Sequence, residues 1–85
     1  MPETKVGVLT HYFARIGVAV IKTTDDALAV GDLIHIKGPN TDFTQKVESM
    51  QAEHLSVARL EKGGEAGLRV TTRVHEDDEV FKVLP

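Results

Sequence analysis

Residues 29–38 read Ala29-Val30-Gly31-Asp32-Leu33-Ile34-His35-Ile36-Lys37-Gly38, with a glycine near each end and alternating apolar positions between. Such a stretch is either a glycine-rich loop that cradles a phosphate or a strand entered through a turn. A phosphate cradle needs successive backbone N–H groups converging at the start of a helix. Here the glycines bracket an alternating segment instead, so the turn-and-strand reading is preferred. It makes Gly31-Asp32 the turn and puts Ile34 and Ile36 on one face, with Leu33, His35 and Lys37 on the other. Gly38-Pro39-Asn40 then turns the chain again.

Working outward, most of the chain divides into short segments of the same kind. Residues 5–13 alternate, which predicts Val6, Val8, Thr10 and Tyr12 on one face and Leu9, His11 and Phe13 on the other. Residues 17–22 are apolar and β-branched, and Ala14-Arg15-Ile16 is a short hairpin connection. Further strands are expected over 42–50, 66–72 and 79–84. The segment 45–62 is ambiguous: Val47, Met50, His54, Val57, Ala58 and Glu61 follow a helical spacing, while Leu55 and Leu60 fall off that face. The residues alone leave helix and strand equally open here; the family resemblance carried by the landmarks below is what implies a strand to about Gln51, followed by an extended or single-turn passage.

Composition bounds the rest. The 85 residues form one domain spanning 1–85, with 41% hydrophobic and 27% charged residues, an ordinary globular balance. Ten basic and thirteen acidic side chains give a formal charge of -3, so no global positive field draws in a polyanion. The absence of cysteine excludes disulfides, thiolate metal sites and a cysteine nucleophile. The start shows no signal-peptide pattern, and the longest apolar run is too short to span a bilayer, so a cytoplasmic protein without membrane contact is expected.

The order of landmarks carries a resemblance. The pattern at Val30-Gly31-Asp32 through Gly38 is followed by Ser49-Met50, by Ala58 with Gly63 and Gly67, and by a terminal Glu79–Val83 strand. Together these resemble the β-barrel second domain of translational GTPases such as elongation factor Tu, and more narrowly the small stand-alone proteins described as translation elongation factor-like. They are also similar to the carboxy-terminal domain of collagenase-like peptidases. The resemblance implies an all-β fold, a small closed six-stranded Greek-key β-barrel of the translation-factor type. One departure stands out: Asp77-Asp78 occupies the place of a common Gly-Asp before the last strand.

Chemistry is sparse. No G-x-x-x-x-G-K-[ST] phosphate loop is present, so GTP hydrolysis by this chain is not expected. His11, His35, His54 and His75 form no metal-binding pair, and no serine sits in a nucleophile elbow. The expectation is a non-enzymatic module with no cofactor and no metal. Its candidate binding surface is His11, Tyr12, Phe13, Arg15, His35, Lys37 and Lys46, because aromatic rings beside cations can stack bases and meet phosphates. The expected partner is RNA, a tRNA or rRNA. The alternative is a protein-interaction module that docks on a separately encoded enzyme or GTPase.

Overall fold

In the computed structural model, residues 2–84 are described, and the regular structure among them is entirely β. The strands are β1 (Glu3–Phe13), β2 (Val18–Thr23), β3 (Leu28–Ala29), β4 (Leu33–Gly38), β5 (Thr41–Lys46), β6 (Met50–Ala52), β7 (Leu55–Val57), β8 (Arg59–Leu60), β9 (Glu65–Arg69) and β10 (Glu79–Val83). Eight form one sheet in the order β5-β4-β10-β1-β2-β9-β6-β7, and β3 pairs with β8 in a separate ribbon. The all-β expectation holds, but the closed six-stranded barrel does not. The ladder leaves β5 and β7 as ends, and the β5 end meets the segment after β9 through a side chain. Gln45 donates from Nε2 to the Arg69 carbonyl at 2.8 Å, while the Thr71 N–H donates to its Oε1 at 2.9 Å.

The core is aliphatic. Val6, Leu9, Ala19, Ile21, Leu28, Ile34, Ile36 and Val80 are fully buried, joined by Met50, Leu68, Val47 and Val74. Ile34 and Ile36 point inward as their alternation requires, which leaves His35 and Lys37 outside. Strict alternation fails in β1, where Val6 and Leu9 are both buried although three positions separate them. A bulge explains this: pairing with β10 skips Val6, so Val6 and Gly7 both face the core and Leu9 follows Gly7 by two. A second bulge comes next, where pairing with β2 skips Thr10. Each extra residue reverses the face assignment beyond it. The two shifts cancel, so Val6 and Tyr12 both lie on the core side as expected, while Val8 and Thr10 leave that face and Leu9 joins it, apart from His11 and Phe13. Gly7 sits in the first bulge, where a Cβ would run into the Lys22 carbonyl.

The segment 45–62 contains no helix, and the expected strand over 42–50 breaks at Val47. Both of that residue's backbone groups are taken by the preceding turn: its N–H donates to the Asp32 carbonyl at 2.9 Å, and its carbonyl accepts from Gly31 at 2.8 Å. Met50–Ala52 and Leu55–Val57 then form a tight hairpin, with Glu53 and His54 at φ 52° and 67°. A two-residue loop with both residues left-handed matches the twist of the flanking strands.

Two turns share one construction. In Ala29–Asp32 the Asp32 N–H donates to the Ala29 carbonyl at 3.1 Å, Gly31 has φ 99°, and the Ala29 N–H donates to Asp32 Oδ2 at 2.9 Å. In His75–Asp78 the corresponding bonds are 3.3 Å and 2.9 Å, with Asp77 at φ 70°. Each turn feeds one of the paired strands β4 and β10. The Asp77-Asp78 departure thus preserves the turn, with Asp77 taking the left-handed conformation that glycine takes at Gly31.

Candidate functional site

The seven candidate residues fall into two groups. His11, Tyr12, Phe13 and Arg15 lie at the β1–β2 hairpin tip, where the Ile16 N–H closes the turn on the Phe13 carbonyl at 3.2 Å. His35, Lys37 and Lys46 lie on β4 and β5, with β10 between them and β1. Register separates the groups further: His35 is level with Phe81 and Lys5, near the opposite end of β1 from Phe13.

In the second group His35 is engaged internally, while Lys37 and Lys46 form no ion pair among the described residues. His35 places Nδ1 2.9 Å from Glu3 Oε2 and Nε2 2.5 Å from Asp42 Oδ1, so both nitrogens donate when the ring is protonated. The hydrogen bond to Asp42 raises its pKa above the ordinary 6.5, with burial opposing and the bond to Glu3 adding to the rise. Lys37 is level with Asp42 on one side and Glu79 on the other. Lys46 lies level with Leu33 at the far end of β5.

The tip is different. Phe13 is 45% exposed and Ile16 59% exposed, and residues 12–16 enclose an open concavity of about 680 Å³. Phe13, Val18 and Arg69 are register partners across β1, β2 and β9, so their side chains share the outward face. One row inward on the same face lie His11, Val20 and Gly67. The His11 and Phe13 rings are 4.4 Å apart, and His11 Nδ1 is 3.3 Å from Glu76 at the margin. Gly67 leaves a notch in this face, where a Cβ would press on Val18 Cγ1 at 3.2 Å. Sequence reading singled out the β1 residues but missed Val18, Val20, Gly67 and Arg69. Their alternation marks one face of each strand, but only the register of β9 on β2 joins those faces.

Among the described residues, no group of three or more His, Asp or Glu is arranged to hold a metal ion. Asp78, the most deeply buried acid at 1% exposure, is occupied by the backbone of its own turn.

No family model matches the chain. It is 35% identical over 81 residues to a collagenase of Porphyromonas gingivalis, covering 94% of this chain and 22% of that protein. It is 32% identical over 80 residues to an uncharacterized protease of Methanocaldococcus jannaschii, covering 93% of this chain and 19% of that protein. The chain therefore spans about a fifth of the length of these curated relatives. The fold matches the crystal structure of the C-terminal domain of a Geobacillus thermoleovorans putative U32 peptidase, with a TM-score of 0.85 at 18% identity over 93% of this chain and 91% of that one. A selenomethionine variant of that domain gives 0.83 over 89% and 95%. These relatives carry the peptidase side of the resemblance seen in the sequence. They lend no support to the translation-factor side or to an RNA partner.

Proposed function

We propose that this domain is a non-catalytic module that docks on a peptidase body, in the same polypeptide or as a separate chain. One observation carries this reading: the likeness runs over almost the whole domain yet covers about a fifth of each peptidase-named relative. A fold that recurs at the C-terminus of a U32 peptidase is a part that works beside a larger body. Fold alone does not assign chemistry. What the domain does offer is an exposed aromatic and aliphatic tip.

Sedimentation velocity tests the proposal. The chain is mixed with P. gingivalis collagenase from which the matching segment has been deleted, and that relative's own segment supplied in trans is the positive control. Docking gives a co-sedimenting one-to-one species and no peptide hydrolysis by the chain alone. Separate sedimentation at tens of micromolar, or hydrolysis by the purified chain, overturns the proposal.

A further inference from the structure

We propose that the outward face of β1, β2 and β9 at the hairpin tip is the docking surface, and that its occupant is a protein face with an apolar centre and an acidic rim. The inference rests on the docking reading above and adds the surface and the chemistry of the partner.

Charge distribution carries the choice of occupant. The chain holds thirteen acids, yet residues 11–18 and 66–75 contain none. The fold brings these two segments together: Val18 pairs with Arg69, and the Val70 N–H donates to the Gly17 carbonyl at 2.9 Å. Three of the four arginines, Arg15, Arg69 and Arg73, lie in them, all exposed. Among the described residues none of the three is ion-paired, whereas Arg59 is paired with Glu61 at 2.8 Å. At the tip row a negatively charged domain thus presents arginine and no acid, while Glu76 beside His11 and Glu53 and Glu65 beside the Gly67 notch bound the face one row inward.

The centre of that face is apolar. Phe13, Val18 and Val20 share the outward face with the Gly67 notch between β2 and β6, and Ile16 projects from the turn. An aromatic and aliphatic centre flanked by Arg15 and Arg69 has the anatomy of a protein interface, where aromatic residues and arginine contribute most of the binding energy. Arginine forks seek carboxylates bidentately, so the complementary rim is Asp- and Glu-bearing. A single-stranded RNA would also meet arginine beside an aromatic ring. The aliphatic share of the patch, Val18, Val20 and Ile16, offers bases no stacking plane and favours the protein occupant.

The test is calorimetric titration of the deleted collagenase with the wild-type chain, Phe13→Ser, the pair Arg15→Glu with Arg69→Glu, and Leu55→Ser. Leu55 is 69% exposed on the separate β6–β7 hairpin and serves as the control. All four sites are exposed, so circular dichroism and melting should match the wild type. The expected result is a roughly tenfold or greater loss of affinity for Phe13→Ser and for the charge reversal, with Leu55→Ser within about twofold. Wild-type binding that survives both tip changes overturns this surface and leaves the docking reading standing. No wild-type binding, where the relative's own segment binds, overturns both. Tip-dependent binding of a single-stranded RNA oligonucleotide at low salt, without peptidase binding, also overturns the protein occupant.

Discussion

The aspartate-closed turns and the hairpin tip treat charge in opposite ways. At opposite ends of the antiparallel β4–β10 pair, Asp32 and Asp78 each hold the first N–H of their own turn, and on β4 between them His35 lies between Glu3 and Asp42. At the tip, Arg15 and Arg69 have no partner among the described carboxylates. Charges satisfied within the chain belong to its folding, and those left unanswered are available to another molecule. Substitution should therefore change stability at these internally engaged groups and binding at the tip.

The largest stability effect is expected at Asp78. Its carboxylate is buried and accepts from the His75 N–H, so Asp78→Ala leaves a donor without its partner and should cost about 1.5–3 kcal/mol. Urea unfolding checks this, and Asp78→Asn, which keeps an acceptor of the same shape, should recover part of the loss. A Cβ at Gly38 would collide with the same carboxylate, so Gly38→Ala should cost about 1–3 kcal/mol. Asp32→Ala should cost less, about 1 kcal/mol, because that carboxylate is 28% exposed and water can replace it.

The parallel between these turns marks how far the sequence was legible. Gly31-Asp32 before an alternating strand reads directly, and Ile34 and Ile36 fill the core as their spacing requires. The bulges at Val6 and Thr10 do not read, because an extra residue in a ladder leaves no composition signal and shows only when two partners are placed. Val47 interrupts an alternating run for the same kind of reason, since its hydrogen bonds go to a turn fifteen residues earlier in the chain. The tip residues of β1 stood out as exposed aromatics beside a cation. Arg69 did not, because its row with Phe13 depends on the pairing of β9 with β2. His35 and Lys37 read as free surface cations, and the carboxylates that engage or flank them come from β1, β5 and β10.

A smaller effect sharpens the same contrast through pH. His35 has a folded pKa raised above its unfolded value of about 6.5, chiefly by Asp42. Its contribution is fully present below pH 6.5 and is lost as pH rises through the folded pKa. Stability should therefore fall as pH rises above about 6.5, by no more than about 1 kcal/mol, since Asp42 is largely exposed. His35→Gln should flatten that slope in denaturant titrations run over that rise in pH. The smallest effect is at the tip, where Arg15→Glu should move stability by no more than about 0.5 kcal/mol.

Hydrogen exchange on the complex with the peptidase body measures the docking face itself. Docking through the tip requires slowed exchange at the amides of residues 11–20 and 67–69, with Leu55–Val57 unchanged. Protection confined to β4 and β5, or a footprint identical to that of the free chain, would contradict it.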